Sequence, residues 1–247
     1  MFGFFTRRRR RRLALAPLAP GWLQILEEHV PFYARLRPGL EQRLLADLKV
    51  FAAEKVFVGV KGLELTDIHR VVISAVAVRL TLHLDVSYYD ALTEIVVYPY
   101  DYKHPDGDDM ILGEAHNFGT VVLSWPAVMR GLQNPCDGHD TALHEFAHVL
   151  DRGSGTFNGT PNLRASEDYR SWGEVLTRHY DRLRKNKRRE RKVLRMYGAT
   201  NEAEFFAVAT ESFFEKPVQM KKYTPDLYEE LQHFYGFDPA ENPLCPR

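Results

Sequence analysis

The spacing of apolar residues predicts helices through most of this chain, with two short strands between them. In the first half, apolar stripes at helical spacing follow Gly21 and cover 38–53. A third stripe follows Thr66, where many β-branched residues leave a strand as the alternative. Runs rich in β-branched residues at 94–97 and 120–125 predict strands.

Three more helical patterns occupy the second half. One follows Asp140, whose side chain suits the N-cap position, and ends near Gly153. The next begins at Ser166, and the last covers 200–214 and ends before Pro217. The sequence therefore predicts an α+β fold that is mostly helical and has one small sheet.

The helix after Asp140 carries a chemical motif. His144 and His148 are four positions apart, so they lie on one helix face and can bind a single Zn²⁺ ion. Glu145 lies about 100° around the helix, where it can act as general base without binding the metal. The apolar neighbours predict a buried helix, and this favours a metal site over two core histidines bonded to backbone carbonyls.

The third zinc ligand has to come from elsewhere in the chain. An extended motif with a third histidine ten residues after the first is excluded, because Ser154 stands there. The last predicted helix offers Glu204, Glu211 and Glu215. Spacing alone does not choose among them, since Glu204 and Glu211 are two turns apart on one face. Glu204 also suits a capping box with Asn201.

A carboxylate that orients a ligand histidine is a further expectation. Asp151 follows His148 by three positions, on the same helix face. It is a candidate acceptor for an imidazole N–H, with a solvated helix end as the alternative. Whether Glu211 orients a ligand histidine in the same way is also open.

Composition limits the class of protein. The 247 residues are 45% apolar, and 33 basic and 33 acidic residues leave no net charge. This balance gives no global argument for nucleic acid or an anionic membrane, and neither is an expected partner. Cys136 and Cys245 form no C-x-x-C pair. A disulfide framework and a zinc–thiolate site are therefore not expected, and the cytoplasm is the expected compartment.

Two stretches are locally basic. Arginines fill 7–12, and we expect residues 1–20 to form a flexible basic tail and linker ahead of one domain at 21–247. Contact with nucleic acid or acidic lipid is the alternative for this run. The stretch at 182–195 has no interleaved aromatics, so a solvated helix face or loop is favoured over a nucleic-acid site.

Two segments carry a family resemblance. Residues 144–148 together with 197–207 resemble the Mlc titration factor A (MtfA) family of zinc peptidases, and also the catalytic domain of anthrax lethal factor. The resemblance implies that Glu204 is the third zinc ligand and that Tyr197 assists catalysis. It also implies a zincin-like fold with the small sheet next to the H-E-x-x-H helix. The arginine-rich start departs from the family pattern.

The resemblance and the motif together predict a zinc metallopeptidase with one Zn²⁺ per chain. Glu145 is the expected base toward the attacking water, and Tyr197 the expected donor to the oxyanion. The resemblance leans toward aminopeptidase action on short peptides. It also implies binding of the transcriptional repressor Mlc in control of glucose uptake. The alternative hypothesis is a non-catalytic protein that sequesters a transcription factor with a peptidase fold.

Overall fold

The chain forms two compact units, Met1–Pro126 and Ala127–Arg247. The structure is a computed structural model and describes residues 2–103, 110–111, 113–116, 119–153, 155 and 157–244. The division into two units does not test the expectation of a single domain at 21–247, which stays a prediction.

The first unit combines helices with a small sheet. Its elements are α1 (Phe2–Leu15), α2 (Trp22–His29), α3 (Pro38–Glu54), β1 (Val56–Gly59), α4 (Asp67–Leu80), β2 (Glu94–Tyr98), β3 (Tyr102–Lys103), β4 (Met110–Ile111), β5 (Gly113–His116) and β6 (Thr120–Ser124). Four strands form one sheet in the order β1-β2-β6-β5, and β3 and β4 form a separate antiparallel pair. Strands β1, β2 and β6 are parallel to one another, and β5 runs antiparallel along β6. The predicted α+β class is confirmed.

Helix α4 settles the choice between helix and strand after Thr66. Thr66 and His69 form a capping box at its start. Every residue from Val71 to Leu80 is buried. Packing on all sides accommodates the β-branched residues that made a strand a credible alternative.

The start of the chain differs from its prediction. Residues 2–15 form helix α1, where the sequence predicts a flexible tail. Arginine and leucine favour helix formation, and two contacts fasten α1 to α3. Arg10 forms an ion pair with Glu54 at 2.7 Å, and Lys49 donates to the carbonyls of Ala14 and Ala16, both at 2.6 Å.

The second unit is helical. The helices from the division onward are α5 (Trp125–Gln133), α6 (Thr141–Arg152), α7 (Asp168–Arg184), α8 (Glu202–Glu215), α9 (Pro217–Tyr223) and α10 (Pro225–Tyr235). Aromatic rings fill the core, with Trp172 of α7 5.7 Å from Phe206 of α8 and 5.4 Å from Phe234 of α10 between centroids. Among the described residues, no helix has the length and apolarity to cross a bilayer.

The state of Cys136 differs from the expectation that the chain forms no disulfide. Cys136 is disulfide-bonded, while Cys245 lies outside the described residues. The cysteine content therefore gives no support to the expected cytoplasmic location.

Candidate metal centre

Three ligand-type atoms from α6 and α8 meet at one buried point. Nε2 of His144 lies 2.9 Å from Oε2 of Glu204 and 3.1 Å from Nε2 of His148. Nε2 of His148 lies 3.4 Å from the same Glu204 oxygen. Both histidines are buried, and Glu204 is half-buried. Helix α6, which carries the H-E-x-x-H motif, and helix α8, which was predicted to supply the third ligand, thus bring these three residues together.

The donor set fits a divalent metal ion. Around a tetrahedral ion with ligand distances of about 2.0–2.1 Å, neighbouring ligand atoms lie roughly 3.3 Å apart. The three observed separations, from 2.9 to 3.4 Å, are close to that value. Two imidazoles and one carboxylate are a donor set used by zinc hydrolases.

Local sequence explains how the two helices begin at this point. Oδ1 of Asp140 accepts a hydrogen bond from the backbone N–H of Leu143 and caps α6. Oδ1 of Asn201 accepts from the backbone N–H of Glu204 and caps α8. The side chain of Glu204 meanwhile faces His144. Asn201 therefore caps α8 through the backbone of Glu204, whereas the Glu204 side chain, which a capping box would use, contacts His144.

Glu211 lies on the far side of His144 from the ligand cluster. Its Oε1 is 2.7 Å from Nδ1 of His144, and its Oε2 accepts from the backbone N–H of Asp140 at 2.8 Å. The carboxylate is fully buried. Glu211 therefore orients an imidazole, which answers the question that spacing left open.

Glu215, the third acidic candidate on α8, faces a loop. Its Oε2 accepts from the backbone N–H groups of Gly138 and His139, at 2.7 and 3.0 Å. It fixes the segment that leads into α6. The three candidate acids on α8 thus make three different sets of contacts.

Asp151 fastens the chain beyond α6. Its Oδ2 accepts from the backbone N–H of Gly159 at 2.8 Å. Burial raises its pKa to about 6, against the opposing effect of backbone hydrogen bonds from the same loop. Gly159 in turn accepts from the indole of Trp172 at 3.1 Å. The contact ties the end of α6 to the aromatic core.

The second histidine is placed by ring packing. The ring of His148 lies 5.0 Å from that of Phe157 between centroids. Its Nδ1 has no hydrogen-bond partner among the residues that the structure describes. The two histidines therefore differ, because a carboxylate orients only His144 within this part of the chain.

Tyr197 lies in a short 3₁₀ helix, Met196–Ala199, ahead of α8. Its ring centroid is 5.8 Å from that of His144, and its side chain is 52% exposed. Gly198 permits this position, because a Cβ there would lie 3.1 Å from Cβ of Val208 on α8. The phenol thus borders the ligand cluster and remains open to solvent.

Arg195 links Tyr197 to the cluster. Its Nη2 donates to Oε1 of Glu211 at 2.5 Å, and its Nε donates to the Gly138 carbonyl at 3.1 Å. One carboxylate therefore binds both His144 and the segment that carries Tyr197. Arg195 was missed by the sequence analysis, because it lies at the end of a basic run with no distinguishing signal.

The basic stretch at 182–195 is anchored as it approaches the cluster. Glu190, which is fully buried, forms an ion pair with Arg182 at 2.7 Å and contacts Nδ1 of His179 at 3.1 Å. Nε2 of His179 lies 2.8 Å from Asp226 of α10. These contacts fix the path of the chain toward Arg195.

The electrostatics of the cluster follow from burial and neighbouring carboxylates. Burial alone would lower the pKa of His144, but the charges and hydrogen bonds of Glu211 and Glu204 raise it to about 10. Burial would raise the pKa of Glu204, but hydrogen bonds from the two histidines lower it to about 2. Burial and the charges of Glu204 and Glu145 raise the pKa of Tyr197 to about 12. Its phenol therefore remains a hydrogen-bond donor at neutral pH.

Glu145 is buried next to the ligands on α6. Its charge raises the pKa of both His144 and Tyr197. The carboxylate is therefore close enough to act electrostatically on both sides of the cluster.

Comparison with known proteins identifies the family. The family model described as glucose-regulated metallo-peptidase M90 matches residues 4–236. The chain belongs to the M90 metallopeptidase family. The family suggests a metal ion, and His144, His148 and Glu204 of the second unit lie close enough together to hold one.

Individual relatives agree with the resemblance in the sequence. The chain is 37% identical to the uncharacterized protein slr2042 of Synechocystis sp., over 95% of this chain and 90% of that protein. It is 28% identical to Mlc titration factor A of Klebsiella pneumoniae, over 89% and 87% of the two chains. The Yersinia pestis protein of the same name is 27% identical over 91% and 87%. The predicted family is confirmed.

Proposed function

We propose that this chain is a zinc-dependent peptidase whose metal ligands are His144, His148 and Glu204. The observation that carries the proposal is the meeting of three ligand-type atoms from two helices, all within 4.8 Å of one another. The donor set and the family both favour a metal ion there. Zinc is the specific proposal, one ion per chain, because a His₂Glu set with an open position is used by zinc hydrolases.

The side chains around the cluster divide the work of peptide hydrolysis. A bound zinc ion would supply Lewis acidity where the three ligand atoms meet. Glu145 accepts a proton from the attacking water and passes it to the leaving amine. The phenol of Tyr197 donates a hydrogen bond to the oxyanion of the peptide carbonyl, a contact worth on the order of 3 kcal/mol in the transition state.

The substitution Glu145→Gln tests this assignment. We expect it to retain about one zinc per chain by metal analysis and to lose hydrolysis of short chromogenic peptides by at least about 100-fold. The matched control is Glu174→Gln, because Glu174 is an exposed residue of α7. Full activity of Glu145→Gln would remove this residue from the mechanism, whereas a loss of both zinc and activity would assign it to metal binding.

Aminopeptidase action on short peptides is the proposed specificity. Its support is the resemblance of 144–148 and 197–207 to MtfA. Chromogenic peptides with free and acetylated N-termini separate the possibilities. An aminopeptidase cleaves only the free peptides, and equal cleavage of both would indicate an endopeptidase.

Binding of an Mlc-type transcriptional repressor in the cytoplasm is a second proposed function. The relatives named Mlc titration factor A support it. A pull-down of purified Mlc by the full chain tests it, with Glu145→Gln alongside the unsubstituted protein. Binding that survives in the inactive variant would separate this function from hydrolysis, and the absence of binding to either protein would refute it.

A further inference from the structure

Helix α1 presents a basic face with large apolar side chains at both ends. Five of its arginines are exposed, whereas Arg10 is bound to Glu54 and Asp90. Phe5 is 63% exposed and Leu15 is 76% exposed. The exposed arginines are Arg7, Arg8, Arg9, Arg11 and Arg12.

The orientation of this face is fixed by the fold. The ion pair of Arg10 with Glu54 and the two hydrogen bonds from Lys49 to carbonyls at the end of α1 hold the helix on α3. At 100° per residue, the five exposed arginines cover an arc that excludes the direction of Arg10. The basic face is therefore turned away from α3.

Four residues of this face form a straight stripe. Phe5, Arg8, Arg12 and Leu15 follow one another at spacings of three, four and three residues, which places them on one side of a helix. The apolar ends are about 15 Å apart along the axis. The described residues of α1 include no acidic side chain.

We propose that α1 docks this chain on the surface of a bilayer rich in anionic lipids. Helices at the bilayer interface combine arginine or lysine with phenylalanine or leucine, because the cations meet the headgroups while the apolar side chains enter the acyl boundary. A straight stripe of two arginines between two apolar side chains can contact the flat surface of an anionic bilayer along its whole length. The phosphate backbone of a nucleic acid would use the arginines but leaves Leu15 without a role. The zero net charge argued against a membrane partner, but α1 by itself carries six arginines and no acidic residue.

Co-sedimentation of the full chain with vesicles tests the proposal. We expect binding to vesicles that contain phosphatidylglycerol, none to phosphatidylcholine alone, and release at high salt. Neutralising two arginines with Arg8→Gln and Arg12→Gln should weaken binding about 25-fold, at roughly fivefold per charge. The matched control is Arg188→Gln with Arg189→Gln, which removes two exposed charges from the other basic stretch and should leave binding unchanged.

The apolar ends have a separate test. Phe5→Ser with Leu15→Ser should weaken binding by roughly tenfold or more, and the thermal melt shows whether the variant still folds. Equal losses in the α1 pair and the control pair would overturn the proposal, as would equal binding to both kinds of vesicle. Binding to duplex DNA or RNA that depends on Arg8 and Arg12, without vesicle binding, would assign the face to nucleic acid and also overturn it.

Discussion

The carboxylate of Glu211 lies 2.7 Å from Nδ1 of His144. An ionised carboxylate can only accept, so the Nδ1 hydrogen points to Glu211 and Nε2 faces Glu204 and His148. This contact fixes which nitrogen of His144 is offered to a metal ion. It also increases the basicity of that nitrogen.

Replacing Glu211 with Gln should weaken metal binding. Loss of the charge behind His144 reduces its basicity, and such changes typically cost about 10- to 100-fold in metal affinity. Zinc affinity measured by competition with a chromophoric chelator checks this. Glu229→Gln, an exposed change on α10, is the control. Unchanged affinity in Glu211→Gln would mean that packing alone orients His144.

Removal of the metal should make stability depend on pH through His144. Its pKa in the fold, about 10, is above the ordinary value of 6.5. The charged ring therefore stabilises the fold fully below pH 6.5, and this contribution is lost as the pH rises through about 10. Thermal melts in excess chelator should show a larger fall over this window than melts of His144→Asn. Parallel curves for the two proteins would contradict the assignment.

Arg195→Lys should impair turnover more than folding. Lysine cannot make both the Glu211 and the Gly138 contacts of the guanidinium fork. The Tyr197 segment would then be less well positioned, and we expect a roughly 10- to 100-fold fall in kcat with a small change in KM. Arg191→Lys, at an exposed position of the same stretch, is the control. A change confined to KM would indicate a substrate contact instead.

Two glycines after α6 provide a matched pair for the packing of α8. Gly159 and Gly155 both have positive φ, 76° and 82°. A Cβ at Gly159 would overlap the Glu202 carbonyl oxygen, whereas a Cβ at Gly155 would meet no atom within 4 Å in the described part of the chain. Alanine at either site should lower the free energy of unfolding by about 1–2 kcal/mol, because the left-handed backbone conformation is unfavourable for a residue with a Cβ. Only Gly159→Ala should lose about 1–3 kcal/mol more of unfolding free energy, because its Cβ overlaps the carbonyl oxygen.

Urea unfolding of the two alanine variants measures this difference. The same free energy of unfolding for both would show that the loop yields without disturbing the start of α8. A lower value for Gly159→Ala together with weaker zinc binding would connect this packing to the position of Glu204.

The sequence predicted the parts of the centre that depend on local rules. The H-E-x-x-H spacing and the N-cap at Asp140 are set by one helix and its first turn, and the structure has both. Spacing did not distinguish Glu204 from Glu211, because residues seven apart on a helix share a face. Only tertiary packing reveals that these two side chains approach the opposite nitrogens of His144.

Long-range contacts explain what the sequence analysis did not predict. Arg10 reaches Glu54 and Asp90, far along the chain, and this pairing turns an arginine run into a docked helix. Arg195 reaches Glu211 and Gly138 in the same way. A run of like charges gives no local signal that one member has a specific partner.

The placement of three acids on α8 makes the centre an all-or-none assembly. Glu204, Glu211 and Glu215 each form hydrogen bonds with groups of α6 or the segment before it, and Glu211 also accepts from Arg195. A carboxylate buried without its partner is strongly destabilising, so a half-docked α8 would have several such groups at once. Docking of α8 on α6 is therefore expected to be a single cooperative step, and partially formed centres should be scarce at equilibrium.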